Sequence, residues 1–272
     1  MWGTKDGLIG VDSITLTQDS INVPGENKSK DFWGRLGTTG LLSPQRPQSA
    51  LRTPSGVNVS LLTQKGDDFI VRTPCGHAVV VTGGEILENI EIVIDPGHGG
   101  VDVGAVHHGL IEKKLNLMIA EELVKELTLR GVNAILTRTG NYHMPLSSRG
   151  QFADHLNAAA MISIHHNAPA GARSFRPGVE TFVQTGSPLS EYLGELVYGN
   201  AFNALQQFTW VSWTSAADAG VIRVLNTQGK DTYGMMSRPK TPTTLIELAY
   251  IANPSEAALV KTNSYLSAVV EA

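Results

Sequence analysis

One cysteine in 272 residues, Cys75, leaves nothing from which an intrachain disulfide framework could be built. A lone cysteine is by default a small buried hydrophobe. A nucleophile needs an exposed, histidine-paired setting, and only His77 stands near this one. Long apolar runs are also missing: none approaches the ~20 residues that a membrane span requires, which excludes a transmembrane segment. Residues 1–20 lack the charged-then-apolar order of a signal peptide, so the chain is expected either to be cytoplasmic or to have its targeting segment upstream. There is no basic run with interleaved aromatics, and the formal net charge is −4, which argues against nucleic acid as a main partner. No internal repeat divides the chain.

What is present is the composition of a folded globular protein, 42% hydrophobic and 17% charged. Two textures follow one another. Residues 1–88 carry short alternating stretches at 13–17, 57–61 and 69–72. An apolar run at 78–81 then ends at the turn signal Gly83-Gly84, and together these predict a small β-rich N-terminal region. Residues 24–56, rich in Pro, Gly, Ser and Lys, read as a long loop or linker within it. From 89 to 272 the pattern changes to strands alternating with longer helices. Leu115, Ile119, Leu123 and Leu127 recur at four-residue spacing on a helix from about 113 to 130, which Gly131 closes. Further helices are predicted over 146–156, 188–208 and from 254 to 260. Strands are predicted at 92–95, 132–137, 160–164, 179–184 and 244–247. This alternation, with near-continuous apolar strands, predicts an α/β fold with a mainly parallel sheet covered by helices on both faces. In such sheets functional groups gather at strand ends.

Three motifs meet that expectation. Asp95-Pro96-Gly97-His98-Gly99-Gly100 follows a strand and can present one imidazole from a tight turn. Glu112 opens the long helix, where a carboxylate also suits the helix dipole. Ser163-Ile164-His165-His166-Asn167 closes an apolar strand. Singly, each has a duller structural explanation. Jointly, two histidines and a glutamate supply the donor set of a catalytic zinc, with a fourth position for a water whose pKa falls to about 7. Glu247, at the end of an apolar strand, is the candidate proton acceptor and donor. Spacing alone does not choose between His165 and His166, and His107 and His108 are further possible ligands or substrate contacts.

The run from Ile94 to Gly100, with Gly104-Ala105, Glu112, Asn116-Leu117, Thr137-Arg138-Thr139, Leu146 and Arg149, resembles the zinc N-acetylmuramoyl-L-alanine amidases of the Amidase_3 family. Ser163–Ala168, Gly178–Thr181, the closing Leu245-Ile246-Glu247 and Ile251–Pro254 continue that resemblance over roughly residues 91–262. It implies a three-layer α/β/α sandwich, with His98, Glu112 and His165 as zinc ligands and Glu247 as the catalytic glutamate. His166 then occupies the variable position after the ligand. The implied activity is hydrolysis of the amide between the lactyl group of N-acetylmuramic acid and L-alanine, in bacterial cell-wall remodelling or lysis. Peptidoglycan or a muropeptide is then the substrate, and the site of action is extracytoplasmic. Asn167, Glu180 and Arg149, within the matching motifs, are candidate substrate contacts. Trp210, Trp213 and Tyr233 lie in a segment, 209–241, that departs from the pattern. Family members also continue into a fuller final helix, so a C-terminal truncation is expected. Two alternatives compete: another zinc amide hydrolase such as a carboxypeptidase, which needs a cation for a free carboxylate (Arg138, Arg149 or Arg173), and a catalytically silent wall-binding or regulatory protein, expected to lack a ligand or the base.

Overall fold

The computed structural model describes residues 11–14, 48–169, 171–216 and 219–272. In chain order the strands are β1 (Val11–Ile14), β2 (Ala50–Arg52), β3 (Asn58–Lys65), β4 (Asp68–Arg72), β5 (Ala78–Thr82), β6 (Glu85–Leu87), β7 (Ile92–Pro96), β8 (Val106–His107), β9 (Leu110–Ile111), β10 (Ala134–Leu136), β11 (Ala160–Asn167), β12 (Arg173–Ser174), β13 (Glu180–Val183), β14 (Trp213–Thr214), β15 (Gly220–Val224) and β16 (Thr243–Tyr250). The helices are α1 (Glu112–Leu129), α2 (Leu146–Leu156), α3 (Pro188–Gln206), α4 (Gly234–Ser237), α5 (Pro254–Val260) and α6 (Asn263–Glu271).

Helix starts follow their sequence signals. Ser187 and Asn253 cap α3 and α5 from their side chains, each with Pro at the next position, and Thr262 caps α6 by accepting from the Tyr265 N–H. The first helix ends where Gly131 takes φ 79°, with its N–H on Thr128 O and that of Val132 on Leu127 O.

The larger sheet has the order β1-β15-β13-β16-β11-β7-β10. The pairs β7–β10, β7–β11, β11–β16 and β13–β15 run parallel; β13–β16 and β1–β15 run antiparallel. Side-chain alternation sorts its strands between two cores. Ile92, Ile94, Ile164, Val183, Val221 and Ile246 pack with Ile119 of α1, Phe202 of α3, Leu259 of α5 and Tyr265 of α6. Val93, Ile135, Met161, Phe182, Ile222 and Leu245 pack on the opposite side with Phe152 of α2 and Met235 of α4. The result is an α/β/α sandwich. Residues 50–87 form a separate antiparallel sheet, β5-β4-β3-β2-β6, with its own small core of Leu51, Val59, Phe69 and Val71. It leans on the sandwich through Asn58 Nδ2 to Leu136 O and Thr139 Oγ1 to Gly56 O.

Several expectations change. The strand read at 13–17 is found at Val11–Ile14 and pairs with β15 of the larger sheet; residues 15–17 and 24–47 lie outside the described residues. Ala50–Arg52, read as loop, is a strand with fully buried Leu51, too short to show any periodicity. Cys75 is exposed rather than buried, because it sits in the turn between β4 and β5, outside the small core of that sheet. The segment 209–241 contains β14, β15 and α4, and after α5 comes α6, which no apolar pattern had marked.

Candidate metal centre

The parallel strands β7, β11 and β16 all end on one side of the sheet, and the antiparallel β13 begins there. Four chemical groups therefore meet at one edge: the turn after β7, His165 on β11, Glu247 on β16 and Glu180 on β13. The loop through β8 and β9 brings α1 to the same place, so that Glu112, its first residue, faces the turn.

Glu112 Oε1 lies 3.0 Å from both His98 Nε2 and His165 Nδ1. One ligand atom from each of the three residues lies within 4.8 Å of the other two, and all three residues are buried. Two imidazole nitrogens and a carboxylate oxygen are the donor types that zinc takes, and the two separations from Glu112 are near the roughly 3.3 Å that ~2.05 Å bonds to a tetrahedral ion require. His98 Nδ1 is bonded to Asp102 Oδ1 at 2.9 Å, which fixes the ring and leaves Nε2 toward the centre. Glu112 Oε2 accepts from the Ala105 N–H at 2.8 Å. Space is arranged for the cluster as well. A side-chain carbon on Gly97 would fall inside the His165 imidazole, and one on Gly104 would stand 2.6 Å from His98 Cδ2. Electrostatics agree. Burial opposes charge on His98, but Glu112 and Asp102 outweigh it and raise its pKa. Burial likewise opposes charge on Glu112, yet the two histidines hold its carboxyl far below the usual range. A divalent cation satisfies such a gathering of donors around one carboxylate. The residues fit the metal.

His98 adopts φ 62°, a left-handed conformation uncommon for a residue with a side chain. The turn is bolted from below. Arg149 donates to Met144 O, Asp95 Oδ1, Pro96 O and His98 O. Arg138 donates to Pro96 O, Gly97 O, Lys113 O and Gly140 O. Burial and the neighbouring Arg149 charge bring Arg138 down to about 10. Arg149, expected among the substrate contacts, has its side chain buried beneath the turn, where it holds the Asp95 carboxylate and backbone carbonyls. Neither of these two arginines offers the cation that a carboxypeptidase would need; Arg173, the third candidate, is exposed on β12.

Asn167 and Glu180 do come together. Asn167 Nδ2 donates to Glu180 Oε2 at 2.8 Å, and the Tyr250 hydroxyl donates to Glu180 Oε1 at 2.7 Å. Burial, then the nearby Glu180 charge, pushes the Tyr250 pKa up. In the sheet register Glu247 is the Cα partner of His165 on one side and of Glu180 on the other. Side chains at one register level share a face, so the acid stands beside His165 rather than below it.

His166 separates from its neighbour. Its ring is bonded at Nδ1 to Asn116 Oδ1 and at Nε2 to the Tyr265 hydroxyl, both at 2.8 Å, and burial lowers its pKa to about 4. His107 is exposed on β8, and the His108 ring bonds Ala252 O, so neither joins the cluster. Trp213 is buried in the core and Trp210 is exposed. Tyr233 packs edge-on against Phe182, its pKa raised by burial and then by Glu247 and Glu180. Asp102, Asn116 and Tyr265 escaped sequence reasoning as site residues; the only signal for Tyr265 was the helix cap at Thr262.

Residues 92–272 match the family model described as N-acetylmuramoyl-L-alanine amidase. The chain is 31% identical over 199 residues to protein YqiI of Bacillus subtilis (strain 168), covering 73% of this chain and 86% of that one. It is 30% identical over 188 residues to the sporulation-specific N-acetylmuramoyl-L-alanine amidase of the same strain, covering 66% of this chain and 64% of that protein. Among solved structures, the N-acetylmuramoyl-L-alanine amidase AmiC2 of Nostoc punctiforme aligns with a TM-score of 0.53 at 28% identity, over 67% of this chain and 91% of that one.

Proposed function

Because the chain belongs to the N-acetylmuramoyl-L-alanine amidase family, we propose that it hydrolyses the amide between the lactyl group of N-acetylmuramic acid and L-alanine, with zinc held by His98, Glu112 and His165. The observation that carries this reading is the register: Glu247 stands level with His165, next to the three clustered donors. When bound, zinc supplies the Lewis acidity that polarises the scissile carbonyl and makes water a nucleophile near neutrality.

The chain's own groups do the rest. Glu247 takes the proton from the attacking water and returns it to the departing alanine nitrogen, so that the peptide leaves as an amine and the sugar keeps a carboxylate. Glu180, fixed by Asn167 and Tyr250, lines the substrate side next to that acid, and Asn167 flanks it. Arg149 and Arg138 hold the His98 turn rigid, which keeps the ligand geometry independent of substrate. Residues 89–272 are the catalytic unit, and the sheet formed by residues 50–87 buttresses its α2 side.

Peptidoglycan lies outside the cytoplasmic membrane, which places the action there. Among the described residues, no helix is long and apolar enough to cross a membrane. A silent regulatory protein would be expected to lack a ligand or the acid, and all four positions are filled. Digestion of purified peptidoglycan by zinc-loaded protein is the test. Release of stem peptides with free N-terminal L-alanine, abolished by a chelator and restored by zinc, is the expected result. Cleavage of glycan strands without new alanine amino groups would sink the assignment.

A further inference from the structure

His166, the residue after His165, is buried and bonded at both ring nitrogens. The direction of each bond can be worked out. Asn116 Nδ2 faces two acceptors, Gly97 O and Glu112 Oε1, each at 3.4 Å, which fixes the amide and leaves Oδ1 as acceptor. His166 Nδ1 must then carry the proton, and Nε2 accepts from the Tyr265 hydroxyl. The His166 backbone N–H reaches the same carboxylate oxygen, Glu112 Oε1, at 3.2 Å. A line of hydrogen bonds thus runs from α6 through β11 to α1 and ends on the oxygen that faces both His98 and His165.

A glutamate's terminal torsion is broad, so a carboxylate that must aim one oxygen between two imidazoles needs outside help. Ala105 N–H holds Oε2; the line from Tyr265 holds Oε1. We propose that Tyr265 is a positioning residue for the metal ligand Glu112, acting through His166 and Asn116, so that the C-terminal helix is part of the metal centre's support. This rests on the reading of His98, Glu112 and His165 as zinc ligands.

Tyr265→Phe in the full chain tests it, because the ring keeps its packing and only the hydroxyl is lost. Zinc affinity, measured by competition with a chromophoric chelator, is expected to fall about tenfold or more. The visible spectrum of the cobalt-substituted protein is expected to shift, and the rise in melting temperature on adding zinc to shrink. A merely structural hydroxyl would lower the melting temperatures of metal-free and zinc-loaded protein equally and leave affinity and spectrum as in the wild type, which overturns the proposal. Should that variant be too unstable to measure, Asn116→Leu cuts the line at its other end and must show the same loss of affinity; wild-type affinity there overturns it too. A wild-type protein that takes up no zinc overturns the ligand reading, and this inference falls with it. Zinc binding by the wild type beside an unchanged variant removes this inference alone.

Discussion

The Arg149 guanidinium meets the Asp95 carboxylate at 2.8 Å with both side chains buried, directly beneath the turn that lifts His98 toward Glu112. The pair is not isolated: Asp95 also accepts from Thr137 and Ser163, and Arg149 reaches three backbone carbonyls of the turn region. Each charge is therefore compensated, and the strained turn is held from two sides.

Removing one partner leaves the other charged and buried. Arg149→Met should destabilise the protein by about 3–5 kcal/mol, as breaking buried pairs does. Replacing both, as Asp95→Asn with Arg149→Met, should recover part of that loss. Urea unfolding of the three variants checks this. A single-variant loss below about 1 kcal/mol would place Arg149 among ordinary surface cations.

Acid sensitivity follows from the same pair. Burial pushes the Asp95 carboxyl up, but Arg149 together with the Thr137 and Ser163 hydroxyls outweighs it and leaves the pKa below its ordinary value. A folded pKa below the unfolded value of about 3.9 means that the carboxylate's contribution is complete above that value. It is lost as pH falls through the folded pKa. The stability gap between wild type and Asp95→Asn should accordingly be constant from about pH 7 to 5 and narrow below about pH 4. Denaturation midpoints across that range decide it, and a gap that widens on acidification contradicts the sign.

Much of this arrangement was open to reading in the residues, and the exceptions have physical causes. From Ile92 onward the strands, buried on both faces, read as apolar runs. The long helix carries four-residue spacing, the helix read over 146–156 coincides with α2, and the helix start read at 254 is the start of α5. His98, Glu112 and His165 were individually ambiguous; their joint placement at strand ends and a helix start raised them as a set, and the family resemblance selected His165 over His166. Burial is what the sequence hides. Arg149 carries the right charge within the right motif, yet its guanidinium is buried against Asp95 and the turn. The adjacency of Glu180 and Glu247 depends on an antiparallel register that no local pattern encodes.

Gly104 should prove as sensitive as a ligand. Its φ of 66° is unfavourable for any side chain, and an added methyl would stand 2.5 Å from Glu112 Oε2 and 2.6 Å from His98 Cδ2. Gly104→Ala should therefore retain the fold but weaken zinc binding by about 10- to 100-fold, the scale of disturbances next to a metal's ligands. Zinc content after dialysis, with circular dichroism as the folding control, is the measurement. Stoichiometric zinc in a folded variant would show that the loop yields without moving the ligands.

The acid proposed for proton transfer must be separable from the three donors proposed to hold the metal. Glu247→Gln preserves size and hydrogen bonding but removes the charge that accepts a proton. Because Glu247 lies on β16 and is outside the three-donor cluster, zinc content and melting temperature should stay near wild type. Turnover on muropeptides should fall by about 10²- to 10⁴-fold, the usual contribution of a positioned acid–base group. KM should change far less than kcat, since the loss belongs to the transition state and not to substrate binding. A variant that loses its zinc would make Glu247 a fourth ligand, and one that keeps its rate would move the proton to another group, with Glu180 the nearest carboxylate in the register.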